Sequence, residues 1–170
     1  MILKWIGAVF IIVACLTFGL LIVYFHKKEI KSLKGLIYAI DFMECELQYR
    51  IPPLPELCRR TADKCIPDLK KVFLNLSYEL EEQIVPDVKI CMNSVLSKAT
   101  DIPNETRRCL TILGHSMGKF DLNGQLKALE NVRKECEGKL KKISGCSDER
   151  LRSYQTLGIC AGIALIILLM

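Results

Sequence analysis

The segment Leu33–Glu56 reads LKGLIYAIDFMECELQYRIPPLPE. Its apolar residues Leu33, Leu36, Ile37, Ile40, Met43, Leu47 and Ile51 recur every three or four positions, which lines one face of a helix. Pro52-Pro53 then ends it, because proline brings no amide and disfavours helix at the residue before it. The same punctuation continues outward. Pro55 suits a first helical turn and predicts a second helix to about Cys65. Pro67 opens a third, striped by Leu69, Val72, Phe73, Leu76, Leu80 and Ile84, and Pro86 a fourth through Val88, Cys91, Met92, Val95 and Leu96. Pro103 opens a fifth with Cys109, Leu110, Leu113 and Met117. Asp121 can cap a sixth carrying Leu122, Leu126, Leu129, Val132, Cys136, Leu140 and Ile143, a helix that can continue past Gly145. No segment alternates with period two for long enough to make a strand. Short links between amphipathic helices predict an all-α fold, an antiparallel bundle of about six helices.

The ends differ in kind. The chain has 170 residues, of which 51% are hydrophobic and 25% charged, and the apolar excess is concentrated at the termini. Residues 5–25 hold 18 hydrophobic residues out of 21, and residues 157–170 hold 12 out of 14. What remains has the composition of an ordinary small domain. This excludes a disordered chain, a multi-span transporter and a multidomain enzyme. About 20 helical residues cover a hydrocarbon core of about 30 Å, so 5–25 reads as a transmembrane helix. Residues 154–170 form a shorter second one, in which Gly158 and Gly162 make a small-xxx-small pair suited to membrane helix packing. Ile12-Val13-Ala14-Cys15 resembles a bacterial lipobox, which would make Cys15 a lipid-bearing residue. The apolar run continues beyond it, however, as a retained anchor would.

Charge sets the orientation. Lys27, Lys28, Lys31 and Lys34 follow the first apolar run, and Lys139, Lys141, Lys142, Arg150 and Arg152 precede the second. The positive-inside rule then places residues 26–153 in the cytoplasm, between a tip at 1–4 with its anchor 5–25 and the anchor 154–170. Those flanking cations suit anionic lipid headgroups. From Arg50 to Gly138 the charge nearly balances, 14 basic against 13 acidic residues, which gives no stripe for nucleic acid. The nine cysteines are irregularly spaced and include no C-x-x-C. Several fall on apolar stripes, where a reduced thiol acts as a small hydrophobe.

Few motifs carry chemistry. Gly114-His115-Ser116-Met117-Gly118 matches the G-x-S-x-G nucleophile elbow, which requires a strand before the serine and a histidine after it. Here a helical stripe precedes Ser116 and no histidine follows, so Gly114 or Gly118 reads instead as a turn between helices. Glu79, Glu81 and Glu82, with Asp87 beyond them, form an acidic cluster that could dock a basic partner. Glu44 falls on the apolar stripe, where a carboxylate needs a partner, whereas Glu46 reads as solvated. Histidines and cysteines show no zinc spacing. Asn75-Leu76-Ser77 and Asn104-Glu105-Thr106 match glycosylation sequons only by pattern.

Four stretches, taken in order, resemble the stage III sporulation protein AB family of endospore-forming bacteria. They are the first apolar run with its basic turn; Glu44-x-Glu46-x-x-Tyr49 leading to Pro53-Leu54-Pro55-Glu56; Leu113-Gly114 through Gly118 and Asp121 to Gln125; and Tyr154-Gln155-Thr156-Leu157-Gly158-x-x-x-Gly162. The resemblance implies a cytoplasmic six-helix bundle similar to those of type II secretion F-family platform proteins. It further implies a place in the mother-cell membrane, within the channel complex joining mother cell and forespore. Its implied partners are a secretion-type ATPase, other membrane proteins of that complex and membrane lipids, with several copies assembled together. F-family platform domains bind divalent cations through carboxylates, but no such ligands can be matched here, and no cofactor is expected. The function expected is therefore a non-enzymatic scaffold with Glu79, Glu81 and Glu82 as the ATPase-facing patch. The alternatives are a membrane-tethered serine hydrolase using Ser116 and a lipid-anchored adaptor.

Overall fold

The computed structural model describes residues 2–82, 87–117 and 122–169, with side chains described for Thr17 and for residues 21–82, 87–117 and 122–145. Among the described residues six helices follow one another: α1 (Ile2–Tyr49), α2 (Leu54–Lys64), α3 (Pro67–Glu82), α4 (Val88–Lys98), α5 (Asn104–Ser116) and α6 (Leu122–Leu169). Among the described residues there is no strand. The expected all-α bundle of six helices is present. Its first and last members, however, are not separate from the terminal apolar segments: helical backbone continues from residue 2 into the bundle and out of it to residue 169. No proline interrupts either passage, so nothing in the sequence stops the helix there.

Two compact units divide the chain. One comprises residues 1–28 and 142–170. Within it, Leu21, Tyr24 and Phe25 are exposed, and the Tyr24 and Phe25 rings meet edge to face at 6.1 Å. Among the described residues no helix is long and apolar enough to cross a membrane. Most side chains of 5–25, and all of those of 154–170, including Gly158 and Gly162, lie outside the described residues, as does Cys15.

The other unit, Glu29–Lys141, holds the core. Leu33, Leu36, Ile40, Met43 and Leu47 of α1 are buried with Leu57 and Cys58 of α2, Leu69, Val72, Phe73, Leu76 and Leu80 of α3, and Val88, Cys91, Met92, Val95 and Leu96 of α4. Cys109, Leu110 and Leu113 of α5 and Leu129, Val132 and Cys136 of α6 complete it. The buried residues follow the stripes that the spacing predicts, although Ile37 of α1 and Leu122, Leu126, Leu140 and Ile143 of α6 are only half-buried. Ile84 and Asp121 lie outside the described residues. Ile51 departs from the pattern: α1 stops at Tyr49, and Ile51 is 63% exposed.

Polar groups set the helix ends and their register. The Asp87 carboxylate accepts the Lys89 amide at 2.9 Å and so caps α4. Pro103 offers α5 no side-chain cap, and Glu29 of α1 accepts the Glu105 amide at 2.8 Å instead. Arg107 closes the other end of α4 by donating to the carbonyls of Leu96 and Ala99. Glu105 and Lys139 pair at 3.2 Å although Glu105 begins α5 and Lys139 lies well along α6. Since α5 ends at Ser116 and α6 starts at Leu122, that pairing requires an antiparallel hairpin.

Candidate functional site

At the end of the bundle unit where α1 turns into α2, several unusual features meet. Tyr49 is 81% exposed and Ile51 is turned to solvent beside it. The Ile51 backbone has φ of +46°, a left-handed conformation that a β-branched residue adopts only under constraint. The constraint comes from both sides. Arg50 still donates its amide to the Glu46 carbonyl at 2.9 Å, while Pro52 and Pro53 fix the chain that follows. Pro53 precedes α2 in an extended conformation and Pro55 fills its first turn.

Beside this turn lies a cavity of about 320 Å³ lined by Leu47, Ile51, Pro52, Pro53, Leu54, Leu57, Leu122 and Gln125. Gln125 carries the one polar side chain among those residues, yet the wall presents more polar than apolar surface. Arg60 links the two helices near this turn. Its guanidinium donates to Glu46 at 3.1 Å and to Glu56 at 3.0 Å, so it ties α1 to α2 and also pins the first turn of α2. The Glu56 hydrogen bond and the two carboxylate charges raise the Arg60 pKa further, against its desolvation. Glu46 is therefore the partnered carboxylate, with its side chain only 16% exposed, and not a solvated one. Glu44, expected to need a partner, is half-buried and makes no ion pair among the described residues. One position separates the two faces of the helix. The α2 helix packs against the side that carries Glu46.

The acidic cluster on α3 is dispersed. Glu79 points to α4, where it accepts from Ser94 at 2.8 Å and from Lys98 at 3.0 Å. Glu81 pairs with Arg59 of α2, and Glu82 is exposed. The three residues do not form one open patch, because successive positions on a helix face different neighbours.

Ser116 lies in the last turn of α5, and its hydroxyl donates to the Ile112 carbonyl at 2.8 Å. His115 is exposed on another face. The strand-to-helix elbow is not formed. Gly114 makes no turn either. It is buried inside α5, where a Cβ would stand 2.6 Å from Met92 Cβ and 2.8 Å from Met92 Cγ. The helix ends later, with Met117 extended, and Gly118 lies outside the described residues. The glycine is needed because α5 crosses α4 too closely for any side chain.

Among the described residues no three His, Cys, Asp or Glu side chains converge as a metal site would require. Cys58, Cys91, Cys109 and Cys136 are buried free thiols, Cys65 is half-buried and Cys45 is exposed. Burial pushes the Cys58 and Cys65 thiols up to about 12. Sequence reasoning missed the cavity and Arg60. The signal was present, because Glu46, Tyr49, Pro53, Leu54, Glu56 and Gln125 all belong to the stretches that carry the family resemblance, and the fold brings them to one end.

The unit is thus a packed set of helices with a cavity and the exposed Tyr49 and Ile51 at one end. The family model described as stage III sporulation protein AB matches residues 4–170, and the chain belongs to that family. It is 24% identical over 171 residues to the stage III sporulation protein AB of Bacillus subtilis (strain 168), covering 99% of each chain. Its fold is similar to a solved structure of stage III sporulation protein AB, with a TM-score of 0.62 at 18% identity, covering 71% of this chain and 97% of that one.

Proposed function

We propose that this chain is a non-enzymatic platform subunit of the sporulation channel complex. In this reading its bundle sits in the mother-cell cytoplasm and docks a secretion-type ATPase, while the two apolar segments hold it in the membrane. The observation that carries the proposal is the α1–α2 end. There a strained Ile51 and an exposed Tyr49 stand beside a cavity built from stretches that carry the family resemblance. Strain that serves no packing need is expected where a surface is shaped for a partner, and a buried aromatic anchor is a common centre of such interfaces. Glu81 and Glu82 lie toward the outer end of α3 and would add an acidic rim, with Glu81 exchanging Arg59 for a basic group of the partner. Membrane retention is supported by the two apolar runs and by the lysines that follow the first of them.

The test uses full-length chain in sporulating cells. Tyr49→Ala and Ile51→Asp should abolish co-purification of the ATPase and sharply reduce heat-resistant spores, with protein level and membrane fractionation unchanged. Unchanged ATPase association in both variants would refute docking at this end. Reversing Glu81 and Glu82 to Lys tests the rim separately. Labelling of an engineered single cysteine in intact against permeabilised cells tests the cytoplasmic orientation, and labelling from outside would overturn it.

A further inference from the structure

The cavity at the α1–α2 end is graded from floor to mouth. Leu47 and Leu57 form its floor, 3% and 0% exposed. Pro52, Leu54, Leu122 and Gln125 are half-buried, and Ile51 and Pro53 are exposed at the mouth. A volume of about 320 Å³ stands at the lower end of the about 300–1,000 Å³ typical of ligand pockets, so there is room for one bulky group. Three features restrict what that group can be. The lining residues are all uncharged, and the nearby Glu46 and Glu56 carboxylates are both held by Arg60. An ionised side chain would therefore lose water there and gain no counter-charge. A purely apolar group fits no better. The Gln125 side-chain amide makes no hydrogen bond among the described residues, and such an occupant would cover it without satisfying it. Finally, the link from Ile51 to Leu54 is richer in acceptors than in donors, because Pro52 and Pro53 bring carbonyls and no amide. The fitting group is neutral, apolar in its body and tipped by a donor.

We propose that this cavity receives one aromatic side chain of a partner protein with a donor at its tip, a tyrosine or a tryptophan. Its ring lies on Leu47 and Leu57, and its O–H or N–H donates to the Gln125 side-chain oxygen. Both residue types combine a large apolar area with a single polar handle, and both are enriched at the centres of protein interfaces. A protein segment suits the place better than a free small molecule. Tyr49 and Ile51, 81% and 63% exposed, stand beside the mouth, where the chain on either side of the anchor would cover them. The left-handed backbone of Ile51 holds its side chain at that mouth. This inference rests on the docking reading and adds the chemistry of what docks.

The experiment takes the full-length chain in lipid nanodiscs and titrates it with side-chain analogues: p-cresol for tyrosine, toluene for phenylalanine, n-butylammonium for lysine and propionate for glutamate. Methyl and side-chain amide NMR reads the leucines and Gln125. p-Cresol should move the Gln125 amide signal and the Leu47, Leu57 and Leu122 methyls, at a free concentration several-fold lower than the other three require. In Gln125→Leu the advantage of p-cresol over toluene should vanish while the methyl shifts persist. Should toluene match p-cresol on the wild-type chain, either ion bind more tightly, the shifts fall on other residues, or nothing bind, the proposal is overturned. Since the wild-type titration decides this alone, a poorly folding variant does not protect it. No ATPase enters the titration, so its failure is distinct from a failure of docking. A failed titration with ATPase association lost in Tyr49→Ala and Ile51→Asp keeps docking and removes the aromatic anchor. Binding of p-cresol with association intact in both variants removes the ATPase from this end and leaves the cavity its aromatic ligand.

Discussion

Gly114 provides the sharpest check on the packing. An alanine Cβ there would stand 2.6 Å from Met92 Cβ and 2.8 Å from Met92 Cγ, with the Val88 carbonyl oxygen 3.6 Å away. Met92 Cβ is the stem of its side chain, so it cannot swing aside. Relief requires α4 and α5 to move apart, and overpacking of this kind costs about 1–3 kcal/mol. The same substitution removes a mid-helix glycine, which returns about 1 kcal/mol. The contact is short enough to place the cost near the upper end, so Gly114→Ala should destabilise by a net of about 2 kcal/mol. Gly138 is the internal control: it lies inside α6 with nothing within 4 Å of a built Cβ. Gly138→Ala should gain the full helix term of up to about 1 kcal/mol. The two substitutions are chemically identical, and the gap of about 3 kcal/mol between them isolates the α4–α5 contact. Thermal unfolding by circular dichroism, with amide exchange to locate the change, measures both in the full-length chain. Gly114→Ala should speed exchange in α4 and α5 alone. Should it stabilise the protein as much as Gly138→Ala, the close approach of these helices is refuted.

Other outcomes are equally checkable. Ser77 is buried in α3, and its hydroxyl finds no hydrogen-bond partner among the described residues. Ser77→Ala should therefore stabilise the fold by roughly 1 kcal/mol, since it removes an orphaned polar group and favours helix. A loss of stability on thermal unfolding would show that the hydroxyl is satisfied. Arg107→Lys should loosen the end of α4, because one ammonium cannot span the two carbonyls the guanidinium reaches, and faster amide exchange over residues 97–102 would report it. With its folded pKa raised to about 12, Cys58 keeps its proton in the folded state while an unfolded thiol ionises near pH 9. Its contribution is complete below pH 9 and is lost as pH rises from there toward 12, at up to about 1.4 kcal/mol per unit. Melting at pH 8 and pH 10 should show this drop, and Cys58→Ala should reduce it.

Much of this was legible in the chain. The prolines and the three-to-four spacing located α2 to α5 to within a few residues, because both act on the backbone locally. Membership of the family was legible too, since its motifs keep their order and distance along the chain. The candidate site was less so. Glu44 and Glu46 differ by two positions, and nothing local says that α2 packs on the side of Glu46 and brings Arg60 to it. Ile51 continues the apolar spacing, yet the left-handed turn forced before Pro52-Pro53 carries it into solvent. Glu79 and Glu81 look like one cluster in sequence but are divided between α4 and α2.

By itself, then, the sequence determined the helices, their buried stripes and the two apolar ends, since hydrophobic period and proline geometry need no partner to be expressed. Only the tertiary structure decided which polar residues meet, which glycine is a contact point and not a turn, and where a cavity opens. Those outcomes depend on how separate helices cross. A crossing is set by side chains distant along the chain, whose mutual fit no local pattern encodes.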